Sequence, residues 1–354
     1  MSLIPATILT GFLGSGKTTL LKRVLAEAHG QKIAVIENEF GEENIDSDIL
    51  VSDTKEQIIQ MSNGCICCTI REDLRATLQL LAAKKREGLL DFDRVVIETT
   101  GLADPGPVAQ TFFMDDEIAE SYLLDSILTL VDAKHAQQQL DDRQEARRQV
   151  GFADQLFISK SDLVTAQDLD DLMHRLKHMN PRAPQKAVHF GDVALSQVFD
   201  LRGFNLNAKL DIDPDFLKDD DHSHDHGDHA DHDHHQHEHG EHCDHPSHAH
   251  GHHHDDVKSF VFKSDRPFDA VKLEDFLGAI VNIYGPRMLR YKGVLFMKGT
   301  DRKVIFQGVH QLMGSDLGPA WVEGETRCSK MVFIGIDLPK DILLQGMEQS
   351  LATV

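Results

Sequence analysis

Apolar and polar positions follow two different periods along the first two hundred residues. Short, mostly apolar runs at 6–9, 32–36, 94–97, 126–131 and 155–158 have the length of buried strands and are too short for helices. Between them, 17–28, 72–86, 134–149 and 168–178 keep apolar residues to one face at helical spacing. Strand–helix alternation of this kind predicts an α/β fold with a mostly parallel sheet. Past residue 256 the order changes. Strands are expected at 258–263, 287–298, 303–309 and 329–336, with helices at 273–283 and 339–349. That order predicts a smaller α+β domain of about 100 residues built on an antiparallel sheet.

The two parts are separated by a segment with no such pattern. Residues 219–256 contain 16 His and 12 Asp or Glu, and no Lys or Arg. Too little apolar surface is present to offset ordering entropy, so a disordered acidic loop is expected. The predicted organisation is therefore 1–205, a linker 206–256 carrying the loop, and 257–354. At 354 residues the chain has room for two domains, each with its own core.

Charge narrows the function. The formal net charge is −22, of which the His-rich segment carries −12. An acidic balance argues against a nucleic-acid binder, which shows a basic patch or stripe. No run of about 18 apolar residues is present, so no membrane span is expected. The first residues lack a charged leader and a cleavage site. Three of the five cysteines fall within four positions, too close for a disulfide framework, and a reducing cytoplasmic location is expected.

The strongest chemical signal is Gly11-Phe12-Leu13-Gly14-Ser15-Gly16-Lys17-Thr18, which matches Gly-x-x-x-x-Gly-Lys-Ser/Thr between a strand and a helix. Its glycines let backbone N–H groups face one concavity, and the helix N-terminus adds partial positive charge. Gly11, Gly14, Ser15, Gly16, Lys17, Thr18 and the following Thr19 form the expected phosphate-binding set. Lys17 would reach the β- and γ-phosphates, and Thr18 would ligate Mg²⁺. Glu98 ends the apolar strand at 94–98, where a carboxylate can hold the water shell of Mg²⁺, and the Gly101 N–H can approach a γ-phosphate. Lys17 and Glu98 are the expected catalytic residues. Ser159-Lys160-Ser161-Asp162 follows another apolar strand. There Asp162 can accept from the N1 and N2 donors of guanine, a pair that adenine lacks. Lys160 would pack along the base and brace the phosphate loop. GTP and GDP are thus the expected nucleotides, and a P-loop kinase of small substrates would need neither Asp162 nor the cysteines.

Cys65, Cys67 and Cys68 lie between the phosphate loop and Glu98. Thiolates at this density suit Zn²⁺ first, with Co²⁺, Ni²⁺ or Cu⁺ behind it, although a redox pair is the alternative. Glu37 and Glu42 sit in an acidic stretch where a first nucleotide switch would fall, and are further candidate ligands. His222, His224, His226, His232, His234, His235, His237 and His239 of the loop would give weak imidazole sites, a metal reservoir or a solvated spacer.

The phosphate loop, the stretch 37–42, Gly64–Cys68, the Glu98–Pro105 run and Ser159–Asp162 together resemble the CobW-type metallochaperone GTPases, and within them the YjiA-type branch. Leu289-Arg290-Tyr291-Lys292-Gly293, Phe306-Gln307-Gly308-Val309-His310 and Met331-Val332-Phe333-Ile334-Gly335 resemble the C-terminal domain of that family. The resemblance implies a P-loop GTPase that binds Zn²⁺ at Cys65, Cys67 and Cys68 and passes it to a client metalloprotein. Relatedness to the nickel-insertion GTPases also makes a nucleotide- or metal-dependent homodimer an expectation. The readings left beside it are a metal storage or buffering protein with a weak GTPase, and a cobalt- or nickel-insertion GTPase.

Overall fold

The structure, a computed structural model, describes residues 3–27, 30–38, 50–51, 57–61, 69–201, 203–204, 256–322 and 324–353. Its first sheet has eight strands in the order β3-β4-β2-β5-β1-β6-β7-β8. These are β1 Ile4–Gly11, β2 Ile33–Asn38, β3 Leu50–Val51, β4 Gln57–Met61, β5 Arg94–Glu98, β6 Tyr122–Asp132, β7 Gln155–Ser159 and β8 Gln185–Ala187. All pair in parallel except the short edge pair β3–β4. β1 lies between β5 and β6, so the chain reverses its direction of winding there and leaves a crevice at the carboxyl ends of the strands.

The helices of this part are α1 Lys17–Ala26, α2 Thr69–Arg86, α3 Pro105–Met114, α4 Asp116–Ser121, α5 Ala136–Asp142, α6 Gln144–Phe152 and α7 Ala166–Met179. The stretch 134–149, expected as one helix, is two. Arg143 is extended (φ −127°, ψ 116°), and Arg147 donates to the carbonyls of Leu140 (2.6 Å) and Asp141 (3.0 Å), closing the end of α5. The break turns α6 toward the site described below. α3 was not expected from the sequence. Proline suits a first helical turn, and Asp104 caps it by accepting from the Gly106 N–H at 2.9 Å.

The second sheet is antiparallel, ordered β12-β11-β10-β13-β9. Its strands are β9 Val257–Ser264, β10 Met288–Leu295, β11 Arg302–Val309, β12 Leu312–Ala320 and β13 Ser329–Ile336, with helices α8 Ala270–Tyr284 and α9 Lys340–Gln349. β12 escaped the sequence reading because it is an exposed edge strand with Gly and Pro and little alternation.

Each part has an apolar cluster of its own, around Leu20 and Phe157 in the first and around Leu277 and Phe333 in the second, and a further cluster joins the two. Residues of the first sheet, such as Ile8 and Ile127, share one apolar cluster with Val257, Leu289, Val332 and Ile334 of the second. α3 and α6 lie in the layer between the sheets and contact strands of both, while α7 packs on β9 and keeps Asp170, His174 and Lys177 exposed. Asp154, just after α6, is fully buried, with Arg290 of β10 at 2.7 Å and Lys292 at 3.6 Å. α1 and the segment 193–199 cover the far face of the first sheet, and α8 and α9 the far face of the second. Among the described residues, no helix is long and apolar enough to cross a membrane.

Candidate nucleotide and metal site

The phosphate loop runs from the end of β1 into α1. Gly14 (φ 74°) and Gly16 (φ 98°) adopt left-handed backbone that a side chain would strain, and Gly16 caps α1 directly. Lys17 is buried in the middle of the turn. Its Nζ donates to the Gly11 carbonyl at 2.8 Å and the Phe12 carbonyl at 3.4 Å, which holds the ammonium over the loop. Burial pushes the Lys17 amine below the ordinary lysine range, and the Glu98 carboxylate pulls partly back.

Glu98 ends β5, the strand beside β1, and accepts from the Thr18 hydroxyl at 2.8 Å. The pair expected to share one cation is thus in contact. Glu37, the penultimate residue of β2, lies in register with Glu98 across the β2–β5 ladder. Two carboxylates abreast on neighbouring strand ends repel, and a hard cation beside oxygen donors relieves that repulsion. Glu42, Cys65, Cys67, Cys68 and the loop residues His222, His224, His226, His232, His234, His235, His237 and His239 lie outside the described residues.

Gly101 follows β5 and packs against the phosphate loop. A Cβ there would come within 2.6 Å of the Leu13 backbone nitrogen. Gln149 of α6 holds this turn, donating to the carbonyls of Gly101 (3.2 Å) and Ala103 (3.0 Å). Arg148 pairs with Asp104 on the same turn. Neither α6 residue was identified from the sequence. A glutamine on the buried side of a helix was the available signal.

On the other flank, β7 delivers Ser159, Lys160 and Asp162. Ser159 Oγ donates to the Ser15 carbonyl at 2.7 Å. The brace expected of Lys160 therefore comes from Ser159. Lys160 (φ 56°) instead donates to Asp132 at 2.6 Å. Burial would raise the Asp132 carboxyl, but Lys160 and His135 outweigh it and hold it below the usual range. Asp162 lies half-exposed at the rim, with His189 Nδ1 at 3.5 Å.

Two family models match this chain: "CobW/HypB/UreG, nucleotide-binding domain" over residues 5–186, and "Cobalamin synthesis protein cobW C-terminal domain" over 257–351. The chain belongs to the CobW/HypB/UreG family. Among characterised members, it is 38% identical to the zinc chaperone YjiA of Escherichia coli K12 over 342 residues, 96% of either chain. It is 31% identical to the zinc chaperone CobW of Pseudomonas aeruginosa, covering 99% of this chain and 92% of that one. The crystal structure of Zn(II)-bound YjiA GTPase from E. coli superposes with a TM-score of 0.73 at 34% identity, spanning 99% of this chain and all of that one. Family and fold thus agree with the resemblance drawn from the motifs.

Proposed function

We propose that this chain is a zinc-binding GTPase that couples GTP binding and hydrolysis to loading zinc and transferring it to a client metalloprotein. The observation that carries the coupling is the register of Glu37 against Glu98. It sets a candidate zinc ligand one strand from the Thr18–Glu98 pair at the phosphate loop.

In this reading the backbone N–H groups of the loop and the Lys17 ammonium take the charge of the β- and γ-phosphates. Gly101 presents its N–H to the γ-phosphate, with Gln149 fixing the turn from behind. Thr18 and Glu98 offer the hard oxygen donors that suit Mg²⁺, which when bound neutralises charge on the phosphates. Asp162 reads guanine. Cys65, Cys67 and Cys68 with Glu37 hold the zinc. GTP orders the strand end bearing Glu37, and hydrolysis to GDP and phosphate relaxes it, so the ion leaves for the client.

The names of the relatives support this reading: two are zinc chaperones, and a third, 35% identical over 57% of this chain, is a zinc-regulated GTPase metalloprotein activator of Schizosaccharomyces pombe.

The test is zinc affinity measured with a non-hydrolysable GTP analogue and with GDP. Tighter binding in the GTP state is expected. Equal affinities would overturn the coupling, since a ligand indifferent to state cannot shift an equilibrium.

A further inference from the structure

Phe190 is 73% exposed, the most exposed of the large apolar side chains among the described residues. It also carries a left-handed backbone, φ 46°, which an aromatic residue adopts only when its surroundings impose it. An exposed ring on strained backbone contributes nothing to folding. Its neighbours explain what holds it. Val188 donates to the Ile158 carbonyl at 2.8 Å, continuing the β7–β8 pairing. Gly191 lies so close to the first turn of α1 that a Cβ would meet Leu20 Cα at 2.9 Å and the Thr19 carbonyl oxygen at 3.4 Å. Arg23 of α1 reaches Asp192 at 3.4 Å. His189 touches both Asp162 and Phe190, with Nδ1 3.5 Å from the Asp162 carboxylate and its ring edge-on to Phe190 at 4.5 Å between centroids. The segment 188–192 is thereby clamped between the helix that starts at the phosphate loop and the carboxylate at the rim.

We propose that Phe190 is a base-stacking residue of the nucleotide site. Its ring covers one face of the guanine whose edge Asp162 reads, while His189 keeps Asp162 and Phe190 in fixed relation. The inference rests on the assignment of Asp162 as base reader. A purine offers a flat π-face of matching size, and stacking adds affinity without asking which base is present. Selectivity then belongs to Asp162, and grip to Phe190.

The experiment uses the full chain and titration calorimetry with GDP, a non-hydrolysable GTP analogue, ADP and inorganic tripolyphosphate. Phe190→Ala is expected to weaken GDP and the GTP analogue by the same factor, about tenfold. Tripolyphosphate binding should be unchanged, since it has no base, and this also shows the variant to be folded. Phe190→Trp should retain affinity, and its fluorescence, measured above that of Trp321, should be quenched by GDP but not by tripolyphosphate. Guanine affinity within twofold of wild type in Phe190→Ala would overturn the stacking role. The underlying base reading is checked separately by Asp162→Asn. If that variant still prefers GDP to ADP as wild type does, the assignment of Asp162 fails. If the preference is lost while Phe190→Ala binds normally, only the stacking proposal fails.

Discussion

Ser159 Oγ donates to the backbone carbonyl of Ser15 at 2.7 Å, joining the strand end that carries the base-reading residues to the loop expected to hold phosphate. The bond spans 144 positions of sequence and fixes the distance between the two halves of one nucleotide site. Ser159→Ala removes it and leaves the loop carbonyl without that donor. A neutral hydrogen bond of this kind contributes about 1 kcal/mol, so GDP affinity should fall about fivefold. Calorimetric titration checks this, and the loss should appear for tripolyphosphate as well as for GDP.

Lys17 is expected to tie nucleotide binding to pH. Burial lowers the Lys17 pKa in the nucleotide-free protein, and phosphate oxygens would raise it again. Between those two values, binding takes up a proton and weakens as pH rises. GDP titrations in alkaline buffers of different ionisation enthalpy should reveal the uptake, and Lys17→Met should abolish it. The same substitution should slow GTP turnover on the order of 10²–10³-fold.

His310 offers a pH test of stability. It is buried against Gly106 and Phe152, with Nδ1 3.3 Å from the Gly285 carbonyl. Burial lowers its pKa from the ordinary 6.5, with Asp104 and the Gly285 carbonyl opposing. The unfolded chain then binds the proton more readily, so stability should decline as pH falls below about 6.5. Chemical denaturation at pH 7.5 and 5.5 should show a smaller difference for His310→Leu than for wild type. Gly106→Ala, whose Cβ would lie 2.4 Å from His310 Nε2, should destabilise by about 1–3 kcal/mol at either pH.

Asp154→Ala should be the most damaging of these changes. It leaves Arg290 and Lys292, both buried, without their shared carboxylate. Breaking a buried pair in this way costs about 3–5 kcal/mol, readable as a shifted urea midpoint. A variant as stable as wild type would show that the pair adds nothing to the interface.

β1, β2, β5, β6 and β7 and the phosphate loop were legible because their signals are local, whereas β3, β4 and β8 are short elements toward the edges of the sheet without such a run. Apolar runs, glycines at fixed spacing and a lysine followed by a hydroxyl residue name a strand–loop–helix unit without tertiary information. Glu98 was legible for the same reason, as a carboxylate that ends an apolar run. Gln149, Arg148 and His189 were not. Each acts across the fold, through contacts that spacing along the chain does not reveal. The break at Arg143 was hidden as well, because two helices meeting at one extended residue keep nearly the same periodicity as one. The shared core was obscured by the His-rich segment, whose composition reads as a boundary. Helices apolar on two faces carried the opposite message, in α3 above all.

That double-faced layer has a thermodynamic consequence. α3 and α6 cannot lose either sheet without exposing apolar surface to water. The parts matched by two separate family models should therefore melt together, as one calorimetric transition whose van't Hoff and calorimetric enthalpies agree. Nucleotide bound at the first sheet would then raise the melting temperature of the second, because a cooperative unit has only one stability to share.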